Sequence, residues 1–304
     1  MLQPTRLSPD GPDFSRIVVG VMNWGVWGHR LRPHQMLRLM EESVNNGVTT
    51  FDHADIYGGY TTEAEFGAAL RLNPGLRLKM QLITKCGIKM PSPSRPAYQI
   101  KSYDTSAAHI RSSVGQSLKN LHTDYLDLLL LHRPSPLMNP EEVATIFDEL
   151  RQEGKVRYFG VSNFKPSQFA LLNNAFPLVT NQVEASLQHL APFLDGTFDQ
   201  CIIKGVRPMA WSPLGGGSVF TDKGNPQVQR IRAAAGRIMR RRSEAIGLDR
   251  LLLAWLMQHP AGILPVVGTA RIERLRAAAE ATKVQLTREE WYELWQASTG
   301  REVP

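Results

Sequence analysis

Short apolar runs alternate with segments of helical periodicity along most of the chain. In the segment Pro33–Asn46, apolar side chains recur at Met36, Leu39, Met40 and Val44. This spacing places them on one face of a helix, which predicts a helix that packs on a core. Similar segments recur between the apolar runs, and they predict further helices at Thr62–Leu72, Thr105–Leu121, Pro166–Asn174 and Arg288–Ala297, and one that Asn139 caps and Gly154 ends.

The apolar runs themselves are short and continuous, as in the four leucines at 128–131. Continuous runs are typical of parallel strands that are covered on both faces. The pattern predicts eight strands, at Ile17–Met22, Val48–Asp52, Met80–Lys85, Tyr125–His132, Val156–Ser162, Leu178–Val183, Val206–Trp211 and Ile263–Val267.

Eight strands, each followed by a helix or a loop, fit an α/β fold of the (β/α)8 or TIM-barrel type, and 304 residues are a usual length for one such domain. We therefore predict a single domain over residues 1–304. Residues 1–16 are expected to form a short hairpin before the first strand, and 288–297 an extra helix after the last. Long loops are predicted at 89–103 and 215–226.

Polar side chains that could take part in catalysis stand where several strands end. Asp52 ends the second strand, Lys85 the third and His132 the fourth, and Tyr57 follows in the loop after Asp52. Each residue alone has a structural explanation, such as a turn, packing or a surface lysine. In a parallel barrel, however, the carboxyl ends of the strands meet at one mouth, where the active site lies. The sequence therefore predicts that the four side chains converge there.

Such a set suits the donation of a proton by tyrosine. A tyrosine with a pKa near about 10 is a reluctant acid, and a nearby ammonium lowers that pKa by stabilising the phenolate. Asp52 would hold Lys85, and His132 would bind a carbonyl oxygen beside Tyr57. These roles fit the reduction of a C=O group by hydride. Because no side chain donates hydride, a cofactor is required.

Composition narrows the function classes. The net charge of +7 permits nucleic acid as a partner, but the arginines cluster between 230 and 250 at helical spacing, without a nucleic-acid-binding motif, and we predict a solvated face. No apolar run approaches the roughly 20 residues of a membrane span, and no secretory signal is seen. Two cysteines, Cys86 and Cys201, favour a cytoplasmic protein without disulfides.

Four motifs, in this order, resemble those of the aldo-keto reductases over essentially the whole length. They are Asp52-His53-Ala54-Asp55-Ile56-Tyr57-Gly58, the segment from Ser117 to His132, Gly160-Val161-Ser162-Asn163-Phe164, and Trp211-Ser212-Pro213-Leu214-Gly215. The resemblance implies a TIM barrel, the catalytic tetrad Asp52, Tyr57, Lys85 and His132, and NADPH bound at the barrel mouth without a Rossmann fold. The absence of a G-x-G-x-x-G motif after the first strand agrees with binding of the cofactor without a Rossmann fold.

The resemblance also implies a set of cofactor contacts. Ser162, Asn163 and Gln182 would hold the nicotinamide carboxamide, and Trp211 would stack on the ring. The full set is Gly20, Met22, Asn23, Asp52, Ser162, Asn163, Gln182, Trp211, Ser212, Pro213, Leu214, Gly215, Gly216, Gly268, Thr269, Arg271 and Arg274. Thr269, Arg271 and Arg274 suit a 2′-phosphate at a helix start. NADH stays an alternative, because Gly268 and Ala278 stand where many members have lysine and asparagine.

The substrate is predicted only as a class: a small aldehyde, ketone or dicarbonyl, bound by Trp24, Trp27, Tyr57 and His132, with no metal. A monomer or a weak homo-oligomer, with neither nucleic acid nor membrane as partner, completes the prediction. Two alternatives stay open. One is a cofactor-sensing subunit on the same fold, against which the intact tetrad argues. The other is an aldolase that uses Lys85 as a Schiff-base nucleophile, which leaves Ser162, Gln182 and Trp211 without a role.

Overall fold

Eight parallel strands close into a barrel in the computed structural model, which describes residues 3–304. The strands follow one another around the ring in chain order, and the last pairs with the first. This confirms the predicted (β/α)8 barrel. The strands are β1 (Val18–Gly20), β2 (Thr50–Asp52), β3 (Gln81–Cys86), β4 (Leu126–Leu131), β5 (Val156–Ser162), β6 (Asn181–Glu184), β7 (Met209–Trp211) and β8 (Leu264–Val267).

Helices cover the outside of the barrel, and polar caps start several of them. The side chain of Asn139 accepts hydrogen bonds from the backbone N–H groups of Glu141 and Glu142, as the sequence predicts. The main helices are α1 (Pro33–Asn45), α2 (Thr62–Leu70), α3 (Ala107–Leu121), α4 (Pro140–Gln152), α5 (Pro166–Ala175), α6 (Thr197–Lys204), α7 (Pro226–Arg241), α8 (Leu248–Met257), α9 (Ile272–Glu280) and α10 (Arg288–Thr299). Shorter helical turns lie at Tyr57–Tyr60, Pro74–Lys79, Ala191–Leu194, Gly215–Gly217, Ser218–Thr221 and Ala281–Lys283.

Several predicted strands were too long at their ends. The run 178–183 was predicted as one strand, whereas β6 begins only at Asn181. Leu178 and Val179 are buried, and the N–H of Val179 still donates to the carbonyl of Phe159 in β5, but the regular ladder between the two strands begins only at Asn181. Hydrophobicity reports this burial and not the pairing itself.

Both predicted long loops carry regular structure. In the first, the short strands Ile88–Lys89 and Ser102–Tyr103 pair antiparallel, so that residues 89–103 form a hairpin that this pairing closes at its base. In the second, Gly215–Gly217 forms a 3-10 turn, followed by a helical turn at Ser218–Thr221. Both segments are therefore more ordered than the sequence indicates.

Successive side chains of the barrel strands belong alternately to two hydrophobic cores. Phe51 and Leu129 belong to the large core that the strands share with the helices, whereas Ile83, Leu128 and Leu130 belong to a separate core with Val18, Met209, Leu264 and Val266. Successive strand residues point to opposite faces, so this second core fills the barrel interior. Asp52 and Lys85 stand two residues after Thr50 and Ile83, which face the interior, so the same alternation directs their side chains into the barrel.

The predicted N-terminal hairpin packs against the barrel. Thr5–Arg6 pairs antiparallel with Asp13–Phe14. Leu7 and Phe14 are fully buried and belong to the interior core of the barrel. They close the end of the barrel at which the strands begin, which leaves the other end as the open mouth.

The arginine-rich surface is the outer face of α7. Arg237 and Arg241 pair with Glu293 of α10, and Arg242, just after α7, pairs with Glu290. These ion pairs neutralise part of the excess positive charge within the protein's own surface. Within residues 3–304, no helix is long and apolar enough to cross a membrane.

Candidate active site

A cavity of about 1020 Å³ opens at the ends of the strands. Asp52, Tyr57 and His132 of the predicted tetrad line its wall. Lys85 lies directly behind them, with only 1% of its surface exposed. The fold therefore brings the four predicted side chains together at one mouth.

An ion pair between Lys85 and Asp52 forms the buried base of this group. The Lys85 ammonium donates to Asp52 Oδ1 at 2.8 Å and Oδ2 at 2.7 Å, and to the backbone carbonyl of His53 at 2.8 Å. Burial acts to lower the pKa of Lys85, but Asp52 and Tyr57 outweigh it, and the net pKa lies above its ordinary value. Lys85 is therefore a fixed positive charge. Gln182 Nε2 donates to Asp52 Oδ1 at 2.9 Å, which orients the carboxylate.

Two glycines form the tight turn that directly follows Tyr57, beside the Lys85 ammonium. Gly58 and Gly59 have φ angles of 64° and 66°, in the left-handed region that favours glycine. A Cβ on Gly58 would lie 2.5 Å from Thr62 Oγ1, so no larger residue fits without rearrangement. The tight turn places the Tyr57 hydroxyl 3.2 Å from Lys85 Nζ.

Burial dominates the titration of Tyr57. It raises the pKa of Tyr57, the nearby Lys85 ammonium acts in the opposite direction, and the net pKa lies above its ordinary value. The sequence predicts only the effect of Lys85, because burial is a property of the assembled mouth. Tyr57 is therefore neutral at physiological pH, and the Lys85 ammonium lies within hydrogen-bond distance of its hydroxyl.

His132 faces Tyr57 as a neutral imidazole. Burial, followed by the charges of Lys85, Arg133 and Lys101, lowers its pKa well below the ordinary value. Its ring lies edge-on to Tyr57, with 6.2 Å between the ring centroids. His132 Nδ1 has no hydrogen-bond partner within residues 3–304. A neutral ring of this kind can donate a hydrogen bond to a carbonyl oxygen without carrying a charge.

A second polar group adjoins the tetrad. Asn163 has a φ angle of 62°, which asparagine tolerates better than most residues. Its amide donates to Ser162 Oγ at 2.8 Å and accepts from Trp211 Nε1 at 3.0 Å. Ser162 Oγ in turn donates to the carbonyl of Gln182. These contacts fix hydroxyl, amide and indole groups on one side of the cavity.

Most of the predicted cofactor residues line the cavity. They are Gly20, Met22, Asn23, Asp52, Ser162, Asn163, Gln182, Trp211, Ser212, Pro213, Leu214, Gly216, Gly268, Thr269 and Arg274. Gly215 and Arg271 lie outside its wall. Gly215 packs on the side chain of Gln188, and Arg271 is exposed where α9 begins.

Backbone approaches the cavity closely at its glycines. A Cβ on Gly20 would lie 3.2 Å from Val266 Cγ1, whereas one on Gly216 or Gly217 would meet nothing within 4 Å. The open glycine turn leaves room for a ligand against bare backbone. A cavity of about 1020 Å³ with hydroxyl and amide groups and Arg274 on its wall fits a nicotinamide dinucleotide.

The prediction that Trp24 lines the substrate pocket is wrong. Trp24 is 0% exposed, packs on Phe51 and Phe66, and donates its indole N–H to the carbonyl of Thr269 at 2.9 Å. Trp27, three residues later, is 44% exposed and does line the cavity, 6.2 Å from Tyr57 between ring centroids.

Sequence reasoning missed the walls that loops contribute. Ile88, Met90, Lys101 and Tyr103, in or beside the hairpin after β3, line the cavity, and so does Arg133. The hairpin residues stand at no strand end and in no motif, so nothing in the sequence singles them out. Arg133 directly follows His132, and that position could have marked it. Within residues 3–304, no cluster of three or more His, Cys, Asp or Glu side chains could hold a metal ion.

Beside the tetrad, His53 is expected to make the protein sensitive to acid. It is fully buried, neither ring nitrogen has a hydrogen-bond partner within residues 3–304, and burial followed by the Lys85 charge lowers its pKa to about 3. The pKa in the folded state is depressed, so the unfolded chain alone takes up the proton as the pH falls below about 6.5, and stability is lost from there down to about pH 3.

The change His53→Asn removes this titration. Between pH 7 and pH 5, wild type is expected to lose about 2 kcal/mol more free energy of unfolding than the variant, since a single proton contributes about 1.4 kcal/mol per pH unit. Urea unfolding at both pH values measures the difference. His122→Asn, at an exposed helix end, is the control. Equal losses in wild type and His53→Asn would contradict the assignment.

Comparisons with known proteins agree with this geometry. The protein-family model for the "Aldo/keto reductase family" matches residues 16–298 of this chain. Oxidoreductase YdhF of Escherichia coli (strain K12) is 46% identical over 306 residues, which cover 100% of both chains. A 6-dehydroglucose reductase of Agrobacterium fabrum is 43% identical over 296 residues, 97% of each chain. The solved structure of the thermostable aldo-keto reductase Tm1743 with the inhibitor epalrestat has a TM-score of 0.79 and 26% identity, and the match covers 97% of this chain and 100% of that one.

Proposed function

This chain belongs to the aldo/keto reductase family and is an NAD(P)H-dependent oxidoreductase, and from that premise we propose that it reduces small aldehydes, ketones or dicarbonyls with NADPH, with Tyr57 as the proton donor. One observation carries the proposal. Tyr57 lines the cavity, and its hydroxyl lies 3.2 Å from an ammonium that a buried carboxylate holds in place.

Each member of the tetrad has one task in this proposal. Tyr57 gives its proton to the carbonyl oxygen as the carbonyl carbon is reduced. Lys85 stabilises the phenolate that remains, because its charge lies within hydrogen-bond distance. Asp52 keeps Lys85 charged and in position. The bound nicotinamide cofactor supplies the hydride.

His132 binds the carbonyl oxygen before reduction. Because its pKa is lowered well below the ordinary value, the imidazole stays neutral and can donate one hydrogen bond without carrying a charge. Together with Tyr57 it fixes the oxygen from two sides, which aligns the carbonyl carbon for attack. Trp27 would cover the substrate from the outside of the cavity.

The polar group beside the tetrad would hold the cofactor. Ser162, Asn163 and Gln182 provide hydroxyl and amide groups for the carboxamide, and Trp211 provides a flat surface for the nicotinamide ring. The backbone of the turn around Gly216 would contact the pyrophosphate. Arg274 would bind the 2′-phosphate, which is the reason to propose NADPH and not NADH.

The test follows loss of nicotinamide absorbance with NADPH or NADH and a panel of aromatic aldehydes, aliphatic aldehydes and dicarbonyls. Turnover that is faster with NADPH is expected. Binding of NADPH, seen as quenching of tryptophan fluorescence, without turnover of any carbonyl would replace this proposal by the alternative of a cofactor-sensing subunit. Trapping of a substrate on Lys85 by borohydride would support an aldolase.

Arg274→Met is expected to raise the KM for NADPH by about tenfold to a hundredfold and to change that for NADH little, because a hydrogen bond to a charged group contributes about 1.5–3 kcal/mol. Titrating tryptophan fluorescence with both cofactors measures the same effect on binding. The control is Arg276→Met, two residues further along α9, whose guanidinium pairs with Glu42 outside the cavity. Equal losses for NADPH and NADH would assign Arg274 to another part of the cofactor.

The relative from Agrobacterium is named as a 6-dehydroglucose reductase, which adds sugar carbonyls to the candidate substrates. We also propose that residues 1–304 act as one domain, a monomer or a weak homo-oligomer, without nucleic acid or membrane as partner. Both cysteines are buried and unpaired, which suits the reducing cytoplasm that we propose as its location.

A further inference from the structure

Two cations line the cavity near the tetrad without a role in the proposed reaction. Lys101 precedes Ser102, in the hairpin after β3, and Arg133 follows His132 after β4. Within residues 3–304, neither side chain forms an ion pair or a hydrogen bond. Cations without a protein partner, on the wall of a cavity that a ligand could enter, are free to bind an anion.

The carboxylates of the cavity cannot neutralise these cations. Among residues 3–304, Asp52 and Asp249 are the two that line it. Asp52 is already bound by Lys85 on both oxygens. Asp249 stands in the first turn of α8, between β7 and β8, whereas Lys101 and Arg133 follow β3 and β4. Four strands separate these positions in a ring of eight, so Asp249 lies on the opposite side of the mouth.

The two cations lie within electrostatic reach of the reacting end. After burial and Lys85, the charges of Arg133 and Lys101 act on His132 and lower its pKa. Apolar and aromatic side chains also adjoin Tyr57: Trp27 lies 6.2 Å away between ring centroids, and Ile88 and Met90 share a small apolar cluster with Tyr57. The same cavity wall therefore carries the Tyr57 hydroxyl, apolar side chains and two positive charges.

Building on the proposed reductase function, we propose that the substrate is a small aldehyde or ketone with an anionic group, a carboxylate or a phosphate, and that Lys101 and Arg133 bind this group. The carbonyl then points to Tyr57 and His132 while the anion remains at the rim. Arginine suits either anion, since its planar guanidinium binds two oxygens at once. Both residues determine specificity and take no part in the transfer of hydride or proton.

Matched substrates separate charge from shape. 4-Carboxybenzaldehyde is compared with methyl 4-formylbenzoate, and glyceraldehyde 3-phosphate with glyceraldehyde, all with saturating NADPH. In wild type, kcat/KM is expected to be about tenfold to a hundredfold higher for the anion of at least one pair, mainly through a lower KM. The pair that responds identifies carboxylate or phosphate. The advantage should shrink as salt is added, because ions screen exposed charges.

Variants assign the effect to the two side chains. In Lys101→Met with Arg133→Met, the ratio of anionic to neutral kcat/KM is expected to fall to near one. The neutral substrates and the KM for NADPH should change little. Lys204→Met is the control for the loss of a positive charge elsewhere, since Lys204 ends α6 and lies outside the cavity. Unfolding of each variant by urea shows whether the fold is intact.

Four results would overturn the inference. Equal kcat/KM for anionic and neutral substrates in wild type would remove it and leave the reductase function standing. Equal losses for both members of a pair in the double variant, or a raised KM for NADPH, would assign the cations to the fold or the cofactor. Absence of turnover with every carbonyl would remove the reductase function itself, and this inference with it.

Discussion

Tyr57→Phe is expected to lower kcat by about 10²–10⁴-fold, the usual contribution of a positioned acid. The variant removes one oxygen from a ring that otherwise keeps its contacts with Trp27 and His132. Lys85 retains Asp52 and the carbonyl of His53 as partners, so the ion pair should persist. Fluorescence titration should therefore give unchanged NADPH binding, while single-turnover kinetics show the loss in the chemical step.

Tyr125→Phe is the matched control. Tyr125 precedes β4, at the end of the barrel opposite the mouth, and its ring lies against Arg77 and Arg157. The same atom is removed there without any change expected in kcat. Turnover of Tyr57→Phe at the wild-type rate would show that another group donates the proton, and the role of Tyr57 would have to be abandoned.

Lys85→Met is expected to damage both stability and turnover. It leaves the Asp52 carboxylate buried without its cation, and breaking a buried pair in this way costs about 3–5 kcal/mol of unfolding free energy. The phenolate of Tyr57 also loses the cation that lies within hydrogen-bond distance, and kcat should fall by about 10²-fold or more. Urea unfolding and steady-state kinetics measure the two effects separately.

Combining Lys85→Met with Asp52→Asn separates the two effects further. Both buried charges are then absent, and the amide oxygen of the substituted side chain can still accept the hydrogen bond from Gln182, so much of the stability should return. The activity should not return, because the cation beside Tyr57 remains missing. Recovery of turnover together with stability would mean that Lys85 acts only through the fold.

A second buried ion pair provides the control for stability. Arg77 and Asp127 lie 2.9 Å apart, outside the cavity, near the start of β4. Arg77→Met should destabilise the protein by a comparable mechanism and leave kcat unchanged below the unfolding transition. If Arg77→Met also lowered kcat strongly, loss of stability alone would explain the result for Lys85→Met.

The barrel and its tetrad could be predicted from local signals. Continuous apolar runs of strand length indicate parallel strands, and eight of them with helices between leave few architectures. Once the strands are parallel, Asp52, Lys85 and His132 must meet, because each stands where a strand ends. These inferences need only the order of residues along the chain.

The tertiary structure decided which neighbours surround those residues. Trp24 and Trp27 are the same residue type in one loop, yet Trp24 is buried and donates a hydrogen bond to Thr269, 245 residues away, while Trp27 faces the cavity. Lys101 reaches the mouth only because the hairpin after β3 folds over it. The net pKa of Tyr57 also depends on burial by the assembled barrel, which outweighs the effect of Lys85. The sequence by itself determined the chemistry of the strand ends. Exposure, desolvation and the walls of the cavity arise from contacts between distant segments, which no local pattern encodes.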